Sequence, residues 1–405
     1  MTSTPTKVIL YQCSIGGVPF AEIHGEGRRT DYFHVQELRI YEDNCKFYFT
    51  GQLVIEAQLN TFEMFLAPQA EVIIAFAAPP NSFVYQERFR VYSYESKPRE
   101  GDIVGSMVIT ISLIGDEYYK DKSSQVQQNF ANITGSAAAS QIHNEYIAHN
   151  GGLVHQLQSI GMIGQTLHPH QVLSKQPSKA IYDILDKSVF PVPSSGPAVY
   201  FRNKRGYVID PLEHLIKNAT IRAGFIHFPG RMRDMPDMLS AWNDVIHFRP
   251  MAPPGEDRGG ARGVEFDGMS KVLSSLDLAE GNSVTGKGSG GSGYGSGVSK
   301  AIIDSWRQLA SVDKNGPGGY EAREKAFLAQ LTYSPKYWTS VPLQSGINVT
   351  VGERINVTYQ VASEIQTKTI WVARLIHELR FTEGRDRSAV AVNGTTDLFG
   401  VAFSG

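Results

Sequence analysis

The sequence of 405 residues is long enough for about two to four domains, each with its own buried core. Its 38 lysines and arginines against 40 aspartates and glutamates leave a net charge of −2, which argues against a dedicated nucleic-acid-binding protein. A hydrophobic fraction of 41% with 19% charged residues indicates a folded chain.

Cysteine content and hydropathy indicate the compartment in which the chain folds. Cys13 and Cys45 are too few for a disulfide framework, so we expect free thiols in a reducing environment. The N-terminal residues lack the basic and apolar regions of a signal peptide, and no apolar run is long enough to predict a membrane span.

Residues 1–115 are predicted to form a first β module, a small barrel or sandwich. Apolar and polar residues alternate there between turn clusters rich in Gly, Pro, Asp and Asn. In one strand, Tyr85 and Phe89 share the apolar face opposite Arg88 and Arg90. The predicted strands are Lys7–Cys13, Glu37–Tyr41, Lys46–Leu59, Glu71–Ala77, 83–91 and 107–113.

Residues 116–230 are predicted to form an α+β insert, because helical and strand periodicities are mixed there. Pro177 suits the first turn of a helix, and Asp210 is a predicted N-cap. The predicted elements are helices at Ala137–Ile147, Leu153–Ile163 and Gln176–Val189, a hairpin of Ala198–Arg202 with Tyr207–Ile209, and a short helix from Asp210 to Ile216.

Residues 231–275 and 318–405 are predicted to form a second β module, interrupted by an insertion at 276–317. Leu379 lies on the apolar face of its clearest strand, so Leu379→Asp should unfold this module. The predicted strands are Asp244–Arg249, Gly263–Asp267, Ile347–Val351, Ile355–Tyr359, Thr369–Thr382 and Ala389–Val392, with a turn at Asn393-Gly394 and helices at Ser299–Ser311 and Tyr320–Leu331.

The insertion contains a glycine-rich segment, residues 286–297, with seven glycines and three serines. Such a composition predicts a flexible linker or a loop that becomes ordered on binding. If it is a linker, deleting Gly288–Gly297 should leave the fold intact, whereas aggregation of the deletion variant would show that the segment is packed.

Residues Gly281–Gly288 come close to a phosphate-binding P-loop. That loop needs Ser or Thr directly after its Lys, to hold a magnesium ion, and here Gly288 follows Lys287. The preceding residues Ser274–Glu280 are also too polar for a buried strand. We therefore interpret the segment as part of the linker.

Five histidines between residues 143 and 170 could suggest a metal site: His143, His149, His155, His168 and His170. No spacing typical of a zinc site occurs among them, and Pro169 prevents His168 and His170 from sharing a helix face. They are interpreted as loop histidines.

No other residues predict a catalytic site. His377 lies on an apolar strand face without a nucleophile motif in the sequence, so it is interpreted as a core or interface histidine. Two basic spots are interpreted as solvated loops or salt-bridged partner surfaces: Arg258 with Arg262, and Arg202 with Lys204 and Arg205. No catalytic, cofactor-binding or metal-binding residue is predicted.

The order of the predicted elements resembles that of the baseplate hub proteins of contractile-tailed bacteriophages. The segments that carry this resemblance are Pro177–Val189 with Ala198–Ile209, Tyr320–Leu331, Ser340–Gly352, Trp371–Thr382 and Asn393–Leu398. The resemblance implies an α+β, β-rich fold in which two tail-tube-like β-barrels are flanked and interrupted by α+β inserts.

The resemblance also implies a function. Three copies, each with two similar barrels, would present six modules to a hexameric tail tube protein and hold a trimeric spike below, with DNA only in transit through the channel. It implies a structural virion protein of the tail baseplate, made late and assembled in the host cytoplasm. It further implies no enzymatic activity or cofactor, contacts with other baseplate proteins, and leaves a contact with the tape-measure protein open.

Two alternatives remain open at this point. One is a tail-tube or spike-type protein of a related injection machine; a tube protein would form hexamers or polymers. The other is a β-rich polysaccharide or peptidoglycan hydrolase, although a carboxylate pair drawn from 40 acidic residues is not in itself evidence for one. A carbohydrate-binding module is less favoured, because the four tryptophans are few and scattered.

Overall fold

The computed structural model of the chain describes residues 8–23, 29–58, 66–78, 84–99, 105–148, 157–158, 168–187, 198–211, 215–216, 218–227, 243–244, 247–250, 262–267, 272–277, 312–313, 337–361, 364–382 and 390–402. Four sequence predictions lie outside them: the P-loop-like residues Gly281–Gly288, the segment 286–297, and the helices Ser299–Ser311 and Tyr320–Leu331.

The described residues form twenty-four strands. In chain order these are β1 Val8–Ile15, β2 Val18–Pro19, β3 Ala21–Ile23, β4 Arg29–Asp31, β5 His34–Asp43, β6 Thr50–Gln58, β7 Glu71–Ala77, β8 Val84–Pro98, β9 Ser106–Gly115, β10 Val126–Ile133, β11 Leu157–Gln158, β12 His168–Lys175, β13 Ala198–Asn203, β14 Gly206–Pro211, β15 Ile221–His227, β16 Asn243–Asp244, β17 His247–Pro250, β18 Arg262–Asp267, β19 Val272–Asp277, β20 Val312–Asp313, β21 Tyr337–Pro342, β22 Arg354–Val361, β23 Glu364–Thr382 and β24 Val390–Ala402.

Helices are short and few among the described residues. They are α1 Asp116–Ser123, α2 Gly135–Ile142, a π-helical turn His143–Ile147 that continues α2, α3 Pro177–Lys187 and α4 Leu343–Gly346. The Thr134 hydroxyl caps α2 by accepting a hydrogen bond from the Ala137 amide at 3.3 Å. None of the described helices is long and apolar enough to cross a membrane.

Fourteen strands form one sheet. Its path is β16-β15-β22-β23-β5-β6-β9-β8-β7-β1-β24-β21-β17, with β2 paired to β1. Because β23 also pairs with β24, the strands from β23 through β5 and β1 to β24 follow one another in a cycle of pairings around one core. The sheet as a whole stays open, since its path ends at β16 and β17.

The described residues form three hydrophobic cores, of which the first two include strands of this sheet and the third is built on the smaller sheets β10-β12 and β11-β14-β13. The first fills the space between β1 and β5–β9, the second lies between β13–β15 and β21–β24, and the third packs α2 and α3 on β10, β12 and the β13–β14 hairpin. The hairpin has two apolar faces. Phe201 and Val208 enter the second core, whereas Tyr200 and Ile209 enter the third.

The prediction of two tube-like barrels is not confirmed, because the two halves share one sheet. Strands β23 and β24 run through both: Leu375 packs in the second core and Leu379, four residues later, packs in the first. Leu379 was expected in the second module, and its strand pairing with Leu38 of β5 is the reason it belongs to the first. The β-rich α+β class agrees with the described elements, and the domain boundaries stay predictions.

Two local predictions are wrong. Ile347–Val351 is not a strand: it follows α4, and its backbone groups bond to charged side chains described below. Asn393-Gly394 is not a turn either, because β24 continues through it and Gly394 pairs with Leu379. A side chain at Gly394 would meet Leu343 and Val8 at 3.0–3.3 Å, so close packing explains this glycine.

In the α+β insert, α3 and the β13–β14 hairpin confirm two predictions. The apolar stripe of α3, Ala180 with Ile181, Ile184 and Leu185, is buried in the third core. Within the predicted helix Leu153–Ile163, the described residues Leu157–Gln158 are a strand instead. The predicted helix from Asp210 is also wrong at its start, because β14 continues through Pro211.

Candidate functional site at a buried ionic joint

The tip of the β13–β14 hairpin brings its basic residues between the cores. Asn203 pairs with Gly206 across a two-residue turn, and the Asn203 side-chain oxygen accepts a hydrogen bond from the Arg205 amide at 2.9 Å. The sequence interpretation placed Arg202, Lys204 and Arg205 on a solvated loop or partner surface. The structure instead buries Arg202 and Lys204, with 2% and 5% of their side chains exposed.

Arg202 is paired with two buried carboxylates. Its guanidinium donates to both oxygens of Glu87, at 3.0 and 2.9 Å, and also contacts Glu117. The Tyr207 hydroxyl donates to the same Glu117 oxygen at 2.9 Å. Burial alone would lower the pKa of Arg202, but Glu117 and Glu87 outweigh that effect and raise it. The arginine therefore stays charged and fastens β13 to β8 and α1.

Lys204 is held by a carboxylate and two carbonyls. Its ammonium lies 3.4 Å from Glu42 and donates to the carbonyl oxygens of Ile347 at 3.0 Å and Val349 at 2.6 Å. Burial lowers the pKa of Lys204, although the Glu42 charge opposes that shift. Because Lys204 occupies the Ile347 and Val349 carbonyls, a strand at 347–351 could not use them for pairing with a neighbouring strand.

The same residues are tied to one another through Thr350. The Thr350 hydroxyl donates to Glu42 at 2.6 Å and accepts from the Lys204 amide at 3.1 Å. The Asn203 side chain donates to the Val351 carbonyl at 3.1 Å. Backbone and side-chain groups of the hairpin tip are thus bonded directly to the segment that connects α4 with β22.

A rim of two partly exposed arginines around a buried glutamate lies beside this centre. Glu353 lies 2.9 Å from Arg205 and 3.0 Å from Arg222, and it accepts a hydrogen bond from the Thr350 amide at 3.1 Å. We call the whole set the ionic joint: Glu42, Glu87, Glu117, Arg202 and Lys204 in the centre, with Arg205, Arg222 and Glu353 at the rim. It contains four acidic and four basic residues, so its charges balance.

The sequence contains one indication of this site, which is a glutamate at an apolar-face position in each of two strands. Glu87 lies between Tyr85 and Phe89 on the apolar face of β8, and Glu42 follows Ile40 on the apolar face of β5. A carboxylate at an apolar-face position needs a buried cation as partner. The pairing with residues more than a hundred positions away could not be read from periodicity.

The chemistry of the ionic joint is structural. Its carboxylates are engaged by arginine, lysine, tyrosine or threonine donors, and no serine or cysteine nucleophile is among its residues. Its eight side chains connect β5, β8 and α1 with the hairpin and with the start of β22. The arrangement therefore fixes three cores in one orientation.

The histidines are separated rather than clustered. His143 is buried in the third core, where its Nδ1 lies 2.8 Å from the Tyr200 hydroxyl, and burial lowers its pKa to about 4. His377 is buried beside the first core, 2.8 Å from the Thr396 hydroxyl, and burial together with Lys204 lowers its pKa well below the usual range. His168 and His170 belong to β12.

Within the part of the chain that the structure describes, no group of three or more His, Cys, Asp or Glu residues could hold a metal ion. Arg262 begins β18, while Arg258, His149 and His155 lie outside the described residues. An open groove beside α2 includes one carboxylate among its lining residues, Glu145, which accepts a hydrogen bond from Gln128 at 2.7 Å. A paired carboxylate for hydrolysis is therefore missing from the lining of this groove.

Comparison with known proteins gives a fold but no sequence family. No protein-family model matches the sequence, and no curated protein matches it. A tail protein from Neisseria meningitidis MC58 matches in structure with a TM-score of 0.54 at 10% identity, over 98% of this chain and 97% of that one. The 43 kDa tail protein of prophage MuSo2 from Shewanella oneidensis matches with a TM-score of 0.50 at 11% identity, over 98% and 97%.

Identities this low show a shared fold alone. Because each match covers nearly the whole of both chains, the similarity concerns the complete arrangement of elements rather than one module. The chain therefore shares the overall fold of these tail proteins.

Proposed function

We propose that the chain is a structural hub of a phage tail baseplate. In this role a homotrimer adapts the six-fold tail tube to a three-fold spike and encloses the DNA channel. The observation that carries the proposal is the fold shared with tail proteins along the whole chain. The interpretation of the ionic joint as structural is consistent with this role.

The arrangement of cores supports a symmetry adaptor. The first and second cores lie side by side along β23 and β24, so one chain offers two strand-built units in a fixed orientation. Three such chains would offer six units to a hexameric tube ring, and heterologous contacts between them would close into a ring. The ionic joint would keep the two units of each chain in register.

The proposed partners follow from this position. They are two further copies of the chain, the hexameric tail tube protein, the trimeric spike and other baseplate proteins, with DNA only passing through. Near-neutral charge suits a channel that must not retain DNA. The proposal places the protein in the virion after assembly in the host cytoplasm, and it assigns no enzymatic activity.

The proposal is tested by the symmetry of the purified protein. Mass photometry should give three times the chain mass, and electron-microscopy class averages should show a three-fold ring with six peripheral densities. A hexamer or an open polymer would contradict the hub and favour a tube protein. A monomer that clears peptidoglycan, and loses this activity on mutation of one carboxylate, would contradict it in favour of a hydrolase.

A further inference from the structure

Strand β8 has a long stretch with a free edge. Residues Val84–Arg90 pair with β7 on one side, and Val91 makes the last bonds on that side: its amide donates to the Ala70 carbonyl at 2.9 Å and its carbonyl accepts from the Gln69 amide at 3.2 Å. From Ser93 to Pro98 the strand pairs with β9 on its other side, after a bulge at Tyr92, and no described strand pairs with Tyr92–Pro98 opposite β9. All seven of these residues are exposed.

The direction of the free backbone groups follows from one hydrogen bond. The Arg99 amide donates to the Ser106 carbonyl at 3.0 Å, so Arg99 faces β9. Backbone groups alternate along an antiparallel strand, which directs Lys97 and Glu95 toward β9 and Pro98, Ser96 and Tyr94 toward the free edge. The edge thus presents the amides and carbonyls of Ser96 and Tyr94 and the carbonyl of Pro98.

The side chains on this edge restrict what can pair with it. Lys97 and Pro98 are residues that discourage pairing with an arbitrary strand. A suitable partner must place a carboxylate opposite Lys97 and a cation opposite Glu95. Opposite Pro98 it must offer an amide that donates to the Pro98 carbonyl, and it must need no donor in return, because proline has no amide hydrogen. The same strand of a second copy meets all three conditions when it runs antiparallel about Ser96.

We infer that the β8 edge, Tyr92–Pro98, pairs antiparallel with the β8 edge of a second copy of this chain around a two-fold axis at Ser96. In this register Glu95 of each copy lies opposite Lys97 of the other, and Tyr94 lies opposite Pro98. The two Ser96 residues exchange both backbone hydrogen bonds, and each Tyr94 amide donates to the opposite Pro98 carbonyl, which needs no Pro98 amide.

Both faces of the pair are complementary. Glu95 and Lys97 share one face and form two ion pairs across the axis, whereas Tyr94, 42% exposed in the single chain, can cover the opposite Pro98 ring on the other face. Tyr92, 59% exposed, flanks the pair. The contact is two-fold, so it does not depend on the proposed trimer and would join two trimers if that ring forms.

Charge reversal tests the inference. In sedimentation equilibrium at low salt, wild-type particles should associate in pairs as the concentration rises, so that the particle mass doubles; we call this association doubling. Glu95→Lys or Lys97→Glu alone places like charges opposite each other twice and should weaken doubling about tenfold or more. The double variant Glu95→Lys/Lys97→Glu restores opposite charges and should double within about threefold of the wild-type affinity.

The outcomes separate this contact from the ring. Loss of doubling with an unchanged trimer mass supports the inference, whereas a changed trimer would concern the proposed function instead. The inference is overturned if the wild type never doubles, if the single variants double like the wild type, or if the double variant stays as weak as the single ones. Unchanged melting temperatures verify that the exposed substitutions leave the fold intact.

A backbone variant tests the register independently. Ser96→Pro removes the outward amide at the axis, while Ser96→Ala keeps it and serves as the matched control. We expect Ser96→Pro to abolish doubling and Ser96→Ala to retain it. Equal doubling of the two variants would overturn the pairing about Ser96.

Discussion

Lys204 shows how a single residue can determine the conformation of a distant segment. Its side chain is 5% exposed, and its ammonium is shared between Glu42 and the carbonyls of Ile347 and Val349. A buried charge is tolerated only where partners replace the lost hydration. The segment 347–351 therefore wraps around Lys204 with its apolar side chains still buried, instead of joining a sheet.

Removing the Lys204 charge should destabilise the protein strongly. Lys204→Met leaves Glu42 without its cation and two carbonyls without their donor, and we expect the free energy of unfolding to fall by about 3 kcal/mol. Urea unfolding measures the change. Arg205→Met is the matched control: its side chain is 43% exposed, and we expect a loss below about 1 kcal/mol. Equal losses would contradict the central place of Lys204.

Buried neutral histidine predicts acid sensitivity. The pKa of His143 is lowered from 6.5 to about 4 by burial, so the folded chain binds this proton more weakly than the unfolded chain. The neutral imidazole therefore contributes fully to the free energy of unfolding above pH 6.5, and this contribution is lost as the pH falls toward 4. The loss between pH 7 and pH 5 is about 2 kcal/mol. His377, whose pKa is also lowered, acts in the same direction.

The raised pKa of Glu87 acts in the opposite direction, because protonation of a carboxyl with a raised pKa favours the folded chain as the pH falls.

Because the lowered pKa of His143 makes the folded chain sensitive to acid, His143→Gln should reduce the loss of stability between pH 7 and pH 5, measured by urea unfolding at both values. An unchanged pH dependence in this variant would show that other groups control acid sensitivity.

At the residue scale, part of the site could be predicted from the sequence. Arg202 and Lys204 were predicted to form a basic spot, whereas Glu87 was not singled out although it lies on an apolar strand face. What the sequence does not contain is the distance between them, because Arg202 and Glu87 are joined only when β13 folds against β8. Periodicity reports on the face of a strand and not on the partner opposite it.

Strand β23 is the element on which both halves of the sheet depend. Its first residues pair with β22, its last with β5, and most of its length with β24. Alternation in Thr369–Thr382 predicted the strand correctly, yet no pattern could show that its two ends serve different cores. The turn predicted at Asn393-Gly394 failed for a related reason, since a glycine needed for close packing looks the same in sequence as a glycine in a turn.

A shared strand predicts one cooperative transition. Leu375→Ala creates a cavity in the second core and Leu379→Ala creates one in the first, and each should lower stability by about 3 kcal/mol. Both variants should shift the same single transition in calorimetry. Ile365→Ala, on the same strand but 46% exposed, is the control and should change stability by less than about 0.5 kcal/mol. Two transitions that shift separately would contradict the coupling.

At the scale of the whole molecule, charges are balanced locally as well as in total. On the outer face of β5 and β23, Arg39 pairs with Glu37 and Glu378, and Arg374 pairs with Asp43. No strongly basic patch results on this described face. The β-rich character of the architecture was predicted, but the continuous sheet depends on pairings between distant segments that no local signal encodes.

Balanced charge predicts weak binding of DNA. At 0.15 M salt we expect a dissociation constant for duplex DNA weaker than about 10 μM, because few phosphates would be neutralised. Gel-shift titration across salt concentrations measures both affinity and salt dependence. Tighter binding with a steep salt dependence would reveal a basic surface and would contradict a channel that only lets DNA pass.

The length of β23 has a mechanical consequence. Nineteen residues of extended chain span roughly 60 Å. Strands β22 and β5 pair with one side of β23, and β24 pairs with its other side from Ile370 to Thr382. A force applied along this axis would load many of the hydrogen bonds of these pairings at once in shear rather than one after another. The strand would then resist extension as one stiff element, and tension applied at one end of β23 would be transmitted to its other end before the strands around either core separate.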